Sequence, residues 1–162
     1  FFFQAEDGIR DVAVTGVQTV LFRSPGGLID AEFVLQYLAL RHPAAWLERG
    51  AASDNRPAIV IAHLRAAGVL SPDDAEMLNN AIALWSRLQF MVRLTTEGDV
   101  DVSELPLGLK AKLAKLAGAT DEKALEFLMA ATAQSVRALF DRIIADPAAS
   151  ARERLAPDAV IR

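Results

Sequence analysis

The sequence predicts an all-α fold, an antiparallel helical bundle, preceded by a leader that is not native to the protein. Apolar residues recur at helical spacing along two long segments, several helix-cap patterns divide the chain, and no run after residue 24 alternates apolar and polar residues as a strand would. At 162 residues, 52% of them hydrophobic, the chain is long enough to bury the core of one domain.

Residues 1–24 form the predicted leader. Written as codons, residues 4–11 resemble the flow-cell end of a short-read sequencing adapter, and the match continues through Ser24. Segments of this origin are excluded from fold reasoning. We therefore expect the genuine protein to begin near Pro25 and to be truncated on its N-terminal side. The alternative is a natural strand pair around a turn at Thr15-Gly16.

The first part of the bundle is predicted to contain two helices with a short one between them. Residues 29–41 favour a helix that stops near His42-Pro43, because the residue before a proline disfavours the helical conformation. Residues 44–49 favour a short helix. The next helix, with a candidate cap at Asp54-Asn55, runs up to a stop signal at Gly68.

A long helix is predicted to begin at Ser71, which gives the clearest start signal in the chain. Ser71 can cap the helix, Pro72 suits its first position, and Asp74 lies three residues after the cap. The apolar stripe that follows predicts a helix to about residue 95, packed on the core. We assign to the core its large members Trp85, Phe90 and Met91.

Two further helices complete the predicted bundle. Residues 109–116 form a short amphipathic helix ended by Gly118, and a second long helix begins near Thr120. The long helix is expected to stop before Pro147, because proline lacks an amide donor and collides with the preceding turn. Residues 25–146 are thus one helical domain, and residues 147–162 are a polar, frayed C-terminal tail.

Charge and composition exclude several function classes. The net charge of −4 offers no basic surface for nucleic acid or anionic lipid. No stretch approaches the ~20 apolar residues of a membrane span. The chain has no cysteine, which excludes disulfides and thiolate metal sites and fits a reducing compartment. We expect a cytoplasmic protein.

The candidate site is the turn Gly26-Gly27 with the two carboxylates that follow it, Asp30 and Glu32. Acidic residues in the first turn of a helix stabilise its dipole, so capping explains them. Two neighbouring carboxylates can also bind a hard cation such as Mg²⁺, although such a site requires further oxygen ligands. No metal-ligand set is assigned, since the two histidines, His42 and His63, lie in different segments.

Residues 25–41, PGGLIDAEFVLQYLALR, resemble the segment P-G-G-[IL]-[IV]-D-I-E-F-x-x-Q-Y-L-x-L-R of bacterial glutamine synthetase adenylyltransferases. The similarity covers roughly residues 25–145 and is weaker after Gly98. Ala31 departs from the isoleucine that is usual in the family and leaves both carboxylates in place.

The resemblance implies an enzyme with two nucleotidyltransferase halves, of which the first removes AMP from glutamine synthetase and the second attaches it from ATP with Mg²⁺. Asp30 implies the second half, because the first half more often has glutamate there. The helical domain would support and regulate a catalytic domain upstream of Pro25 and would be inactive alone. Asp30 and Glu32 would border the active site, with Gly26 and Gly27 near the cofactor. Glutamine synthetase and the PII signal protein are the implied partners.

Two other functions stay open from the sequence. A PII uridylyltransferase has a comparable helical domain behind its catalytic domain. A helical interaction module without catalytic activity could also have converged on this pattern. Metal-dependent phosphohydrolase motifs downstream would favour the uridylyltransferase, and none follow in this chain.

Overall fold

The computed structural model describes residues 25–47, 55–95 and 105–155, and all regular structure in these ranges is helical. The prediction of an all-α helical bundle is confirmed. The predicted leader, residues 1–24, lies outside the described residues, as do Asp54 and most of the loop after Thr95. The helices are α1 Leu28–Arg41, α2 Ala44–Leu47, α3 Pro57–Ala66, α4 Pro72–Thr95, α5 Leu107–Ala117, α6 Glu122–Phe140 and α7 Asp146–Leu155.

Helix α4 is the centre of the bundle, because α1, α3, α5 and α6 all contact it. Trp85 is 2% exposed in the middle of α4, which confirms its assignment to the core. Short connections after Gly68 and Gly118 join neighbouring helices, and both glycines adopt the positive φ that ends a helix. The most deeply buried large side chains are Trp85, Leu64, Leu78, Leu88, Leu113, Val34, Val92 and Val136.

The start of α4 has the predicted cap. The Ser71 hydroxyl accepts a hydrogen bond from the Asp74 amide at 3.1 Å and donates one to the Asp74 carboxylate at 2.7 Å. Arg142, from the far end of the chain, pairs with the same carboxylate at 2.7 Å. The cap residue Asp74 therefore also pairs with a side chain from the segment that follows α6. At α3 the cap position is Arg56 rather than Asn55, and Pro57 opens the helix as expected.

Helix α6 begins at Glu122, two residues after the expected position, and helical structure continues from its end through Pro147. Asp121 caps its start, where a carboxylate oxygen accepts from the Ala124 amide at 2.8 Å. A single π-helical turn, Asp141–Ala145, then links α6 directly to α7. The expected stop was wrong because the wider π turn precedes the proline, where the missing amide and the ring are accommodated in the first turn of α7. The described side chains of α7, residues 146–154, are all exposed. The assignment of residues 147–162 to a separate polar, frayed tail stays a prediction, although residues 147–155 are helical here.

Phe90 does not belong to the core, although Met91 beside it packs against the core. The Phe90 side chain is 66% exposed. Five residues separate it from Trp85, which turns it by about 140° on an ideal helix and onto the solvent side. Among the residues that the structure describes, the other large apolar side chains that are exposed are Ile29, Phe33, Leu40, Leu94, Leu107 and Phe127. Within the described ranges, no helix combines the length and the apolar character needed to cross a bilayer.

The N-terminal end of α1 rests on the backbone of α6. Gly26 has a φ of +82°, and a Cβ atom at this position would lie 2.0 Å from the carbonyl oxygen of Ala133. Both the conformation and the close approach require glycine. Gly68 also has a positive φ, of +72°, but a Cβ there would meet nothing within 4 Å. Gly68 therefore has only the strained backbone conformation, whereas Gly26 combines that conformation with a close contact to the backbone of α6.

We expect Gly26→Ala to lower the free energy of unfolding by roughly 1–2 kcal/mol for the left-handed conformation and by a further 1–3 kcal/mol, approximately, for overpacking. Gly68→Ala is the matched control and should show only the first of these losses. Urea unfolding followed by circular dichroism measures both variants. Equal losses in the two variants would show that Gly26 does not contact α6 as closely as the structure has it.

Removing the Ser71 cap should lower the free energy of unfolding by about 1 kcal/mol in Ser71→Ala, because the Asp74 amide loses its acceptor. Ser86→Ala, at an exposed position within α4, should be neutral or slightly stabilising since alanine favours helix. Both values come from the same unfolding experiment, and a cap variant as stable as the parent chain would contradict the assigned cap.

Candidate functional site

The turn before α1 is closed by Asp30. The Gly26 amide donates a hydrogen bond to Oδ2 of Asp30 at 2.8 Å, and the Gly27 carbonyl accepts from the Ala31 amide at 3.2 Å. Gly27 is the N-cap residue and has no side chain to cap the helix, so the Asp30 carboxylate folds back onto the turn instead. A carboxylate in the first helical turn also interacts favourably with the helix dipole. The capping interpretation of Asp30 therefore agrees with these contacts.

Arg137 of α6 approaches the same carboxylate oxygen of Asp30. Its Nη1 atom lies 3.6 Å from Oδ2 of Asp30, whose side chain is 19% exposed. The guanidinium also contacts Asp141, through an ion pair of Nη2 with Oδ1 at 2.6 Å and a hydrogen bond from Nε to Oδ2 at 3.2 Å. Its central carbon lies 4.9 Å from the centre of the Phe140 ring, a distance typical of a cation–π contact. Asp30 thus faces a guanidinium that is fixed by its own helix.

Beside this ion pair, Phe33 of α1 contacts Phe140 at the end of α6. The ring centres of Phe33 and Phe140 lie 6.1 Å apart with the planes tilted by 38°, within the range of favourable aromatic contacts. Phe33 is nonetheless 48% exposed. One edge of the site is therefore apolar and open to solvent.

Glu32 lies on a different side of α1 from Asp30. It lines a mostly apolar groove of about 460 Å³ between α1 and α3, together with Gln36, Asn55 and Val60. Residues two positions apart on a helix do not face each other, so the fold does not bring the two carboxylates together. The catalytic-support role of Asp30 and Glu32 stays a prediction.

The described residues do not form a magnesium site by themselves. No group of three or more histidine, aspartate or glutamate side chains in these ranges could hold a metal ion. Mg²⁺ requires an octahedral set of oxygen ligands, whereas the Asp30 carboxylate is already shared between the Gly26 amide and Arg137.

The predicted cofactor contact of Gly26 and Gly27 likewise stays a prediction. Both residues are buried, and the amide of Gly26 and the carbonyl of Gly27 are bonded within the turn. The two histidines lie apart from this turn, His42 at the end of α1 and His63, half-buried, in the last turn of α3.

Arg137 is the residue of this site that sequence reasoning missed. The available signal was its spacing from Asp141, because oppositely charged residues four apart on a helix form ion pairs. Its contact with Asp30 is long-range and has no local signal. A second feature not foreseen is an open groove of about 640 Å³ between α4 and α6, with Asp73 and Glu76 near the start of α4 and Arg87 further along that helix.

Comparisons with known proteins agree with the resemblance found in the sequence. The chain is 34% identical over 123 residues to the bifunctional glutamine synthetase adenylyltransferase/adenylyl-removing enzyme of Rhizobium meliloti, a match that covers 75% of this chain and 12% of the relative. The proteins of that name from Xanthobacter autotrophicus and Caulobacter vibrioides are each 33% identical, over 76% and 74% of this chain and 12% of each relative. The chain thus spans about one eighth of the length of these relatives. No solved structure matches it.

A family model described as GlnD PII-uridylyltransferase matches residues 18–144. This range contains helices α1 to α6 and the turn in which Asp30 meets Arg137. The family model covers most of the residues that the structure describes. The glutamine synthetase adenylyltransferases match a similar share of this chain. The chain therefore belongs to the GlnD PII-uridylyltransferase family.

Proposed function

We propose that this chain is the helical domain behind the adenylylating half of a glutamine synthetase adenylyltransferase, an enzyme that transfers AMP from ATP to glutamine synthetase. The observation that carries the proposal is the 34% identity over 123 residues to a relative of that name. The seating of the Gly26 turn on α6 supports it, because such a turn would fix the direction in which a preceding domain joins the bundle.

The outer face of α1 supports a role as a support domain. Ile29, Phe33 and Leu40 are 47%, 48% and 82% exposed, and their spacing places them on one side of the helix, opposite the residues that enter the core. A helix that is apolar on both sides is normally covered on both sides. We propose that the catalytic domain packs on this face of α1.

The chemistry of the transfer is assigned to residues outside the described ranges. ATP and Mg²⁺ would be held by the acidic residues of the catalytic domain, since the described carboxylates do not assemble a metal site. Asp30 and Glu32 would act at its border, with Asp30 as a positioning residue. Glutamine synthetase as substrate, the PII protein as regulator and the cytoplasm as location belong to the same proposal.

A PII uridylyltransferase is the second candidate, favoured by the description of the matching family model. Both candidates transfer a nucleotidyl group from a nucleoside triphosphate to a protein, so the helical domain could serve either. The nucleotide and the protein acceptor distinguish them.

A chimera tests the proposal. Residues 25–155 of this chain replace the corresponding segment of the Rhizobium meliloti enzyme, and transfer of labelled AMP from ATP to glutamine synthetase is measured. We expect a rate within about tenfold of the parent enzyme, because a matching support domain would cost no more than about 1.4 kcal/mol of transition-state stabilisation.

The parent enzyme with the same segment deleted is the control and should lose the transfer. A folded chimera, judged by circular dichroism, that transfers no AMP would contradict the proposal. In parallel, residues 25–155 replace the corresponding segment of a PII uridylyltransferase, and labelled UTP and PII are offered to that second chimera. Transfer of UMP by the second chimera, without transfer of AMP by the first, would favour the uridylyltransferase.

A further inference from the structure

One side of α6 contacts the beginning of α1 at successive turns. The backbone of Ala133 lies against Gly26, and Arg137, four residues later, approaches Asp30. Asp141, four residues later again, holds Arg137. Residues four apart lie above one another on a helix, so these three residues form a continuous strip. We call residues 133, 137 and 141 the α6 strip.

Arg137 is held from its own helix before it reaches Asp30. An ion pair at 2.6 Å and a hydrogen bond at 3.2 Å join two nitrogens of its planar fork to the two oxygens of Asp141, and the Phe140 ring lies 4.9 Å from its central carbon. Such a fork loses little further freedom when it meets a second carboxylate. The guanidinium is therefore pre-oriented, and Asp30 is the group whose position it determines.

The charges on the α6 strip explain why the turn depends on Arg137. Asp30 and Asp141 both contact this one guanidinium. Removal of its charge would leave two carboxylates on the same side of α6 with a repulsive interaction between them. Asp30 would then turn away, and the hydrogen bond that it accepts from the Gly26 amide would weaken.

We propose that Arg137 is a positioning residue for nucleotidyl transfer, which acts through Asp30 to hold the turn of residues 25–27 in the orientation that places the catalytic domain on the bundle. This inference rests on the proposed function. Arg137 does not contact substrate in this proposal. Its effect is on the orientation of the chain that enters α1.

The chain offers a matched control in Arg142. This arginine, five residues further along, pairs with Asp74 at 2.7 Å and so ties the same helical segment to the start of α4. Its side chain is 62% exposed, against 40% for Arg137. Loss of Arg142 should therefore weaken an ion pair between helices without affecting the turn before α1.

The test measures kcat and KM for AMP transfer in the chimera with Arg137→Met, Arg137→Lys and Arg142→Met. We expect Arg137→Met to lower kcat about tenfold and to change KM for ATP by less than about twofold. The reason is that correct positioning of the catalytic domain stabilises the transition state and does not affect ATP binding in the ground state. Arg137→Lys should restore part of kcat because it keeps the charge without the planar fork. Arg142→Met should leave kcat unchanged.

A second measurement uses the 162-residue chain itself and does not depend on catalysis. Hydrogen exchange of the Gly26 amide, followed by NMR, should be faster by about fivefold or more in Arg137→Met and unchanged in Arg142→Met, because local opening exposes the amide. Equal effects of the two variants on kcat or on exchange would overturn the inference, since they would show general destabilisation. A parent chimera without AMP transfer would count against the proposed function alone, and the exchange rates would then decide the role of Arg137.

Discussion

The contact between the Gly26 turn and the backbone of α6 is the constraint on which the arrangement of the helices depends. A Cβ atom at Gly26 would lie 2.0 Å from the Ala133 carbonyl oxygen, so α1 and α6 can approach to this distance only with glycine at the crossing. The ion pair of Asp30 with Arg137 follows one turn later on both helices. The close approach limits the separation of the two helices at this crossing, and the ion pair lies beside it.

Helix α6 and its π-helical extension hold the starts of two other helices at once. Arg137 faces Asp30 at the start of α1, and Arg142 faces Asp74 at the start of α4. Five residues on an α-helix turn by about 140°, so the two arginines point to different neighbours. The π turn, Asp141–Ala145, lies at this division. This turn contains Asp141, which pairs with Arg137, and it leads directly into α7. π-Helical turns inside helices often lie at functional positions.

Local signals predicted most of the fold, whereas the long-range contacts were not predictable. Ser71, Gly118 and the start of α6 follow from caps and stop signals that act within a few residues. The passage through Pro147 was missed, because it depends on a π turn that has no reliable sequence pattern. Phe90 was wrongly assigned to the core. A broad apolar stripe does not show which of its residues face the core and which lie at its solvent-exposed edge.

For the candidate site, the sequence pointed to the turn before α1, and the contacts that this turn makes came only from the structure. Asp30 was singled out from its position after two glycines, where a cap and a metal ligand have the same signal. The contact of Arg137 with Asp30 depends on the fold and has no signal in the local sequence. The same is true of the position of Glu32 in the groove between α1 and α3. The predicted pair thus consists of Asp30, which accepts a hydrogen bond from the Gly26 amide, and Glu32, which lines a separate groove.

A nuclear Overhauser spectrum of the 162-residue chain tests the central contact most directly. A cross-peak between the α-protons of Gly26 and the α-proton of Ala133 is expected, because the backbones are in contact at this crossing. A folded chain whose spectrum shows Gly26 without cross-peaks to any residue of α6 would contradict the seating of α1 on which the account rests.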